Sequence, residues 1–326
     1  MRILVTGGTG FIGHALLDRL VNDGHIVSAA IRDPDAVMQD RITKILIGDI
    51  GSNTNWSNWL DGIDAVIHLA ARVHVMKDTA ANPLAEFRRT NTEGTLNLAR
   101  AATHAGVKKF IFLSTIKVNG ELTMPGCAFH ADDVPAPVDP YGRSKLEAET
   151  ELLLIGLNNG MAITIVRPTM VYGPGVKGNF LSLMNLIDKR IPLPFGSIEN
   201  KRSMIGLSNL VDLISKCLVS PAAANQVFLA SDGVDISTTE LLRGIGWALG
   251  KPPLLVPIPA VAVTTIGSLI GMRALVVRLC GNLQVDIEKN QRVLEWWPSV
   301  TMATELRQTA MYFYKTRNKL FHDPLF

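Results

Sequence analysis

Two side chains that could move a proton stand four residues apart near the middle of the chain. Tyr141 and Lys145 follow a proline-rich entry that ends at Pro140, and residues four apart lie on one face of a helix. A lysine ammonium, together with the positive ring of an oxidised nicotinamide, favours the phenolate and so lowers the pKa of the tyrosine. The pair therefore predicts removal or donation of a hydroxyl proton coupled to hydride transfer.

Two hydroxyl side chains stand upstream, at the end of an apolar run. Ser114 and Thr115 close the run at residues 110–115, which reads as a buried strand followed by a loop. Open α/β sheets bind ligands at the carboxyl ends of their strands. Thr115 is therefore predicted to hydrogen-bond the reacting oxygen of the substrate.

A glycine-rich turn links the first apolar run to the first helical pattern. Gly7 permits a tight turn, Gly10 lets the backbone approach a pyrophosphate, and Gly13 lets helix and strand pack closely. Phe11 and Ile12 open the helix, whose unpaired amides and positive dipole end face the anion. The spacing predicts a dinucleotide site.

The type of dinucleotide depends on the residues after the second predicted strand. Arg32 stands there and can hold the 2′-phosphate of NADP(H), which is the favoured cofactor. The alternative is NAD(H), with Arg32 solvated and Asp33 accepting a hydrogen bond from the ribose. Asp49 and Ile50 follow the third strand and are predicted to contact the adenine.

The elements that would position these residues alternate as strands and helices. Apolar runs predict strands at 2–6, 26–31, 44–47, 65–69, 110–114, 162–167 and 226–230. Helical periodicity predicts helices at 11–22, 83–105, 140–158 and 207–218. This order predicts an α/β fold with a doubly wound parallel sheet, the Rossmann fold, covered on both faces.

The composition of the sequence changes after Arg167, where prolines and glycines become frequent. Residues 1–169, with 205–231 returning to them, are predicted to form the dinucleotide-binding domain. Residues 170–326, mainly 170–204 and 232–326, are predicted to form a smaller cap that binds the substrate. A cleft between the two is the expected ligand site.

Composition and charge exclude several classes of protein. The 326 residues are 47 % hydrophobic and 19 % charged, which is typical of a globular chain, and a net charge of +3 does not indicate nucleic-acid binding. Three scattered cysteines and seven histidines without ligand spacing predict no metal site and favour a reducing cytoplasm. No signal-peptide pattern is present at the N-terminus. The apolar residues 254–271 predict a buried or interfacial segment rather than a spanning helix, with contact to a membrane surface as an alternative.

Taken together, the motifs resemble the extended short-chain dehydrogenase/reductase family, in its branch of nucleotide-sugar epimerases, dehydratases and reductases. The matching residues are 6–13, 48–49, 68–71, 91–95, 114–115, 141–145, 167–168 and 171–174. The resemblance implies a catalytic set of Thr115, Tyr141 and Lys145. Further cofactor contacts that it implies are Leu69, Ala70, Ala71, Asn91, Ser114 and Pro168.

The resemblance also implies a UDP-sugar substrate. The implied contacts are Asn179, Phe180, Leu193, Phe195 and Arg202. Arg278 is a candidate second arginine, and Lys117, an added cation that departs from the family pattern, is a further candidate contact. Two opposed arginines suit a diphosphate because guanidinium forks bind phosphate oxygens bidentately. Met170 and Asn119 depart from the asparagine and tyrosine that 4-epimerases usually carry at these places, so the exact substrate contacts stay open.

Similarity in residues 71–78 and 114–120 to bacterial O-antigen reductases favours one reaction. It is the 4-keto reduction of a UDP-4-keto-6-deoxy-N-acetylhexosamine for surface polysaccharide. The alternative is a UDP-glucose or UDP-N-acetylglucosamine 4-epimerase that retains NAD, and a dehydratase is less favoured because Ile116 and Lys117 stand where an acidic pair is usual. A non-catalytic dinucleotide sensor is the alternative from another class. The resemblance implies a homodimer through helices 83–105 and 140–158.

Overall fold

The computed structural model describes residues 1–73, 82–269 and 271–321 of the chain. Its strands are β1 (Arg2–Thr6), β2 (Ile26–Ile31), β3 (Ile42–Leu46), β4 (Ala65–His68), β5 (Lys109–Leu113), β6 (Ala162–Pro168), β7 (Met170–Tyr172), β8 (Arg202–Gly206), β9 (Gln226–Ala230) and β10 (Asp235–Ile236). Seven of them form a parallel sheet in the order β3-β2-β1-β4-β5-β6-β9. This is the predicted doubly wound α/β fold.

Helices cover the sheet and continue beyond it. They are α1 (Phe11–Asn22), α2 (Pro83–Phe87), α3 (Thr95–His104), α4 (Pro140–Asn159), α5 (Gly178–Asp188), α6 (Leu207–Val219), α7 (Thr238–Ala248), α8 (Ala260–Leu269), α9 (Arg273–Cys280), α10 (Glu288–Leu294) and α11 (Met302–Phe321). Across the described ranges, no helix is both long enough and apolar enough to cross a membrane.

Apolar residues on both faces of the strands explain why the sheet is buried. On β1, Ile3 and Val5 join the hydrophobic cluster that contains Leu16 of α1. Leu4 points to the opposite face and joins the cluster that contains Leu152 of α4. Because side chains alternate along a strand, a fully apolar strand needs helices on both faces.

The order of the strands reverses next to β1. β2 and β3 lie on one side of β1 and β4 on the other, so the crossover connections leave β1 and β4 in opposite directions. In open α/β sheets, ligands bind in the crevice at such a switch point, outside the carboxyl ends of the strands. The glycine turn after β1 lies at this position.

The region predicted as one helix at 83–105 is three helical segments in sequence. A π-helical segment, Arg88–Gly94, separates α2 from α3. π segments are rare and occur mostly at functional sites. Simple 3.6-residue periodicity does not distinguish them from an α-helix, so the prediction of a regular helix here was wrong in detail.

The part after residue 170 builds a third hydrophobic cluster and a small sheet. β7, β8 and β10 form a three-stranded sheet in the order β10-β8-β7. Tyr172, Phe180 and Phe313 belong to a cluster that is separate from the two flanking the large sheet. β9 pairs with β6 in the large sheet, as predicted for residues 226–230. The division into two domains at the stated boundaries stays a prediction.

Candidate active site

The turn after β1 is so close to its neighbours that two of its glycines have no substitute. Gly7 has φ +73°, and a Cβ there would lie 2.7 Å from the backbone nitrogen of Ala70. A Cβ on Gly13 would lie 2.2 Å from the carbonyl oxygen of Gly7. Only glycine fits both positions, since the first also needs a left-handed backbone. The predicted roles of Gly7 and Gly13 agree with this geometry.

The N-terminus of α1 is left open to a ligand. Gly10 is the N-cap, with its amide on the carbonyl of Gly7 at 3.0 Å, and no side chain caps the helix. The first turn, which begins with Phe11 and Ile12, contains no acidic residue. Free amides and a positive dipole end suit an anion. The residues present therefore fit the pyrophosphate of a dinucleotide.

The two candidate nucleotide contacts, which follow β2 and β3, bind each other. The guanidinium Nη1 of Arg32 lies 3.1 Å from Oδ1 of Asp49, and both side chains are largely exposed. Asp33, the alternative ribose contact, accepts a hydrogen bond from the amide of Asp35 at 2.9 Å. Ile50 packs against Gly94, where a Cβ would lie 2.7 Å from its side chain.

Asn91 joins the loop after β4 to helix α4. Its amide oxygen accepts from the backbone nitrogen of Arg72 at 2.8 Å, and its amide nitrogen donates to the carbonyl of Arg72 and to Ser144 Oγ. Ser144 in turn donates to the carbonyl of Tyr141 at 2.8 Å. The buried Asn91 therefore fixes the start of α4 relative to the sheet edge.

The loop after β4 is held against β1. The amides of Leu69 and Ala70 donate to the carbonyl and to Oγ1 of Thr6, at 3.1 and 3.2 Å. Ala71 follows them and is partly exposed. At the other side of the same edge, Pro168 ends β6 and pairs with Ala230 of β9. These backbone segments frame the predicted cofactor crevice.

The first turn of α4 packs directly on the loop after β5. Asp139 caps α4 by accepting from the amide of Gly142 at 2.6 Å, and it also pairs with the ammonium of Lys117. A Cβ on Gly142 would lie 2.8 Å from the carbonyl oxygen of Lys117. This close contact brings the helix that carries Tyr141 against the segment that carries Thr115.

Lys145 reaches from α4 to the end of β5. Its Nζ donates to the carbonyl of Leu113 at 2.7 Å and lies 4.0 Å from the centroid of the Phe112 ring. Burial lowers the pKa of Lys145 from 10.5 to about 7, and the carboxylate of Glu149 opposes this shift. The Lys145 ammonium is therefore held at Leu113, two residues before Thr115. Because its pKa is about 7, Lys145 is near its titration midpoint at neutral pH.

The environment of Tyr141 acts against phenolate formation in the chain alone. Burial, and after it the carboxylate of Asp139, raise the pKa of Tyr141 above its ordinary value of 10. Its ring contacts that of Phe87, with centroids 5.9 Å apart. The expected lowering by Lys145 does not outweigh burial here. Any lowering therefore depends on the second expected cause, the positive nicotinamide ring.

The two predicted hydroxyls after β5 have different partners. Thr115 is buried, caps the short 3₁₀ turn Ile116–Val118 and accepts from the amide of Lys117 at 3.3 Å. Ser114 instead donates to the carboxylate of Glu149. The Ser114 hydroxyl proton is therefore engaged by Glu149, and its backbone amide donates to the carbonyl of Val166 at 2.7 Å.

A buried ion pair behind Lys145 was missed by sequence reasoning. Arg167 donates to Glu149 at 2.6 Å and to Oδ1 of Asn119 at 2.9 Å, and both charged groups are almost fully enclosed. The two lie 18 residues apart on β6 and α4. One signal was available, because Tyr141, Lys145 and Glu149 are spaced by four and so share one face of α4.

The predicted uracil contacts lie mainly inside the third hydrophobic cluster. Phe180, Leu193 and Phe195 are buried there, and the Phe180 ring stacks on that of Tyr172 at 5.8 Å. Asn179 is exposed at the start of α5. The three apolar side chains pack in the core, and the part of these residues in substrate binding stays a prediction.

The two arginines expected to hold a diphosphate lie near each other. Nη1 of Arg202 donates to the carbonyls of Arg278 and Gly281 at 2.6 and 3.1 Å, so it caps the C-terminal end of α9. Burial and the Arg278 guanidinium lower the pKa of Arg202. Arg278 also lies 3.6 Å from Glu121. An anion bound between two neighbouring guanidiniums would stabilise their close approach.

Lys117, the remaining predicted substrate contact, lies between acidic side chains. It pairs with Asp139 and lies 3.8 Å from Glu121. Glu121 thus stands between Lys117 and Arg278 and connects the catalytic loop to α9. A role for Lys117 at the substrate stays a prediction.

Comparison with known proteins agrees with this geometry. Residues 3–229 match the model of the NAD dependent epimerase/dehydratase family. A UDP-glucose 4-epimerase of Vibrio cholerae is 48 % identical over 319 residues, covering 97 % of both chains. An N-acetyl-alpha-D-glucosaminyl-diphospho-ditrans,octacis-undecaprenol 4-epimerase of Escherichia coli O157:H7 is 30 % identical over 265 residues, covering 79 % of this chain and 76 % of the other.

A solved structure is also similar along the whole chain. MoeE5 in complex with UDP-glucuronic acid and NAD superposes with a TM-score of 0.78 at 25 % identity, covering 97 % of this chain and 100 % of that one. The glycine turn, the crevice at the switch point and the Tyr141–Lys145 face of α4 are the features on which the expected family rests. The chain belongs to the NAD dependent epimerase/dehydratase family of extended short-chain dehydrogenase/reductases and is an enzyme of that family.

Proposed function

We propose that this protein is a 4-epimerase of a UDP-hexose, and that it retains NAD through the reaction cycle. The observation that carries the proposal is the fixed position of α4. Lys145 binds the carbonyl of Leu113 at 2.7 Å, and Gly142 packs on the loop after β5, which supports a site where the start of α4, carrying Tyr141, and the loop carrying Thr115 meet at the carboxyl end of β5. The UDP-glucose 4-epimerase relative, 48 % identical over nearly the whole chain, supports this reaction.

Each side chain then has one task at the sugar C4. A bound nicotinamide supplies the acceptor and donor of hydride. Tyr141 takes the proton of the 4-hydroxyl and later returns it, which is general base and then general acid catalysis. Thr115 donates a hydrogen bond to the same oxygen, and Lys145 in its charged form favours the phenolate.

The pairing of Arg32 supports NAD rather than the NADP favoured by the sequence. Arg32 binds Asp49 at 3.1 Å, so a 2′-phosphate at this guanidinium would approach the Asp49 carboxylate and would have to displace it. A ribose hydroxyl meets no such repulsion, since it can donate to a carboxylate. NAD held through the cycle also suits an epimerase, which consumes no cofactor.

The proposed binding of the diphosphate of the substrate depends on Arg202 and Arg278. Burial, and after it the nearby Arg278 guanidinium, lower the pKa of Arg202, and a diphosphate bound between the two arginines would offset their repulsion. A uridine diphosphate sugar supplies such a group. Glu121 is the competing partner of Arg278 that the substrate would replace.

Two measurements on the purified protein test the reaction. Heat denaturation should release NAD, identified by chromatography, and the protein should interconvert UDP-glucose and UDP-galactose, or their N-acetyl analogues, without added cofactor. Tyr141→Phe should lower the rate at least ~100-fold, because it removes the group that moves the proton. Tyr312→Phe, at an exposed tyrosine on α11, is the matched control and should retain full activity. Unchanged activity of Tyr141→Phe would instead support the dinucleotide sensor.

A second candidate function is an NADPH-dependent 4-keto reductase. It is favoured by the guanidinium of Arg32, which is largely exposed and therefore accessible to a 2′-phosphate. A reductase acting on a UDP-4-keto-6-deoxy-N-acetylhexosamine would be purified without tightly bound NAD. It would oxidise one NADPH for each sugar reduced and would not convert UDP-glucose. Stoichiometric NADPH oxidation of this kind would replace the epimerase proposal with the reductase.

A further inference from the structure

The hairpin of α8 and α9 has an outward face that is unusually apolar. Val261 and Leu269 on α8 are 77 % and 82 % exposed, and Ile266 between them is also exposed. The chain carries no charged residue from Pro252 to Met272. Exposed apolar side chains grouped on one element mark an interaction site more often than scattered ones do.

The other side of α8 is already used by packing. Val263 and Gly267 are buried, and a Cβ on Gly267 would lie 2.5 Å from the side chain of Val276 on α9. The two helices are therefore in close contact through a glycine. Because this contact fixes how α8 is rotated, Val261, Ile266 and Leu269 must face outward.

The polar atoms of α8 would cost little to remove from water. Thr264 and Thr265 both donate to the carbonyl of Val261, at 2.9 and 2.8 Å, and Ser268 donates to the carbonyl of Thr264 at 2.8 Å. These hydroxyls are satisfied inside the helix itself. Burying a polar group is expensive mainly when it lacks a hydrogen-bond partner.

The charges of the hairpin are all positive. Arg273 and Arg278 are the charged residues between Lys251 and Asp286, so the segment contains no acidic residue. Arg273 is exposed at the start of α9, next to the apolar end of α8. Basic residues beside an exposed apolar helix face fit the interface of an anionic membrane.

We propose that the α8–α9 hairpin binds the surface of a membrane that contains anionic phospholipid. α8 lies in the plane of the interface with Val261, Ile266 and Leu269 among the lipids, and Arg273 contacts the headgroups. A second copy of the chain is a poorer occupant. Two such hairpins would bring the exposed Arg273 guanidiniums together, and the hairpin itself contains no acidic residue to pair with them.

Binding there would bring the candidate diphosphate site close to the membrane. Arg202 holds the end of α9 through the carbonyls of Arg278 and Gly281, so the base of the hairpin and the two arginines form one unit. The inference does not depend on which sugar is the substrate. It can therefore fail while the proposed reaction holds.

Sedimentation of the full-length protein with lipid vesicles tests the binding. The wild-type chain should sediment with vesicles of mixed phosphatidylglycerol and phosphatidylcholine. Val261→Glu and Leu269→Glu should weaken this binding at least about tenfold, since each removes apolar burial and adds a charge that the anionic lipid repels. Val37→Glu, at a valine that is 85 % exposed elsewhere on the chain, should bind like wild type.

The charge contribution is tested separately. Arg273→Gln should weaken binding to the mixed vesicles about fivefold and leave binding to pure phosphatidylcholine unchanged, whereas Arg41→Gln, also at an exposed arginine, should change neither. Absence of wild-type binding, or equal binding by Val261→Glu, overturns the proposal. If Val261→Glu instead dissociates an oligomer of a wild type that does not bind vesicles, the face is an interface between copies.

Discussion

Lys145 carries its ammonium into a place that is 1 % exposed to solvent. Burial lowers its pKa from 10.5 to about 7 in the folded chain. Below pH 7 Lys145 is charged in both the folded and the unfolded chain, so the stability is lowered by the full free energy of burying that charge. Between pH 7 and 10.5 the folded chain loses this proton while the unfolded chain keeps it. The contribution of Lys145 to stability therefore rises with pH over that range.

This sign predicts a pH-dependent difference between the wild type and Lys145→Met. Methionine keeps the shape but has no charge, so the wild type should gain stability relative to the variant from pH 6.5 to 9.5. The gain in melting temperature should be several degrees, since one pKa unit is worth about 1.4 kcal/mol. Differential scanning calorimetry at both pH values measures it. Lys44→Met, at an exposed lysine of β3, is the control. A difference that is constant with pH would contradict the buried charge.

Sequence reasoning found the residues of the site that are defined by local spacing. Tyr141 and Lys145 are four apart on one helix, so their shared face follows from helical geometry. The pairing of Arg167 with Glu149 depends on the packing of β6 against α4, which local spacing does not give. The net direction of the Tyr141 pKa likewise depends on how deeply the fold buries the ring and on Asp139, three-dimensional quantities that no pattern contains.

At the scale of elements, the glycine turn contains one glycine that the fold itself requires and one that the ligand is expected to require. A Cβ on Gly13 would meet the carbonyl oxygen of Gly7 at 2.2 Å, whereas a Cβ on Gly10 has its nearest neighbour, that same oxygen, at 3.2 Å. The backbone of Gly10 is extended, with φ −80°, so alanine there needs no left-handed conformation and only a small shift of that oxygen. The two glycines should therefore respond differently to the same substitution.

Gly13→Ala should lower both stability and dinucleotide affinity, while Gly10→Ala should lower affinity chiefly and stability much less than Gly13→Ala. Overpacking of this kind costs about 1–3 kcal/mol, so the melting temperature of Gly13→Ala should fall by several degrees. Thermal melting and calorimetric titration with NAD after removal of bound nucleotide measure the two effects. Gly51→Ala, with nothing within 4 Å of its Cβ, is the control. An unchanged melting temperature for Gly13→Ala would show that the turn relaxes.

The interior strands of the large sheet were predictable because they are buried on both faces, whereas the edge strand β3, predicted at 44–47, lies at Ile42–Leu46 and has Thr43, Lys44 and Leu46 exposed. β1, β2 and β9 occupy the predicted ranges, since short and mainly apolar runs bounded by turn residues leave a strand few alternatives. The π segment Arg88–Gly94 and the α8–α9 hairpin were not predicted. The first depends on the contacts of Asn91 with Arg72 and Ser144, and the second on a close helix contact at Gly267.

At the scale of the whole molecule, α4 exposes a second apolar surface, far from the residues that face the site. Leu157 is 76 % exposed, and Leu154 on the same helix is also exposed. α4 packs beside α3, so the two helices together form an outer layer over the sheet. The resemblance implies a homodimer through these helices, and such a pair would bury both leucines in both copies.

Leu157→Glu should therefore convert a dimer into a monomer in solution. Burying a leucine contributes about 1.5–3 kcal/mol, twice in a symmetric pair, and the variant also places two carboxylates face to face. Light scattering after size exclusion measures the mass. Leu269→Glu on the α8–α9 hairpin is the matched control, because it alters an equally exposed leucine and should leave the dimer intact. A monomeric wild type would refute the dimer, and dissociation by Leu269→Glu alone would move the interface from α4 to the hairpin.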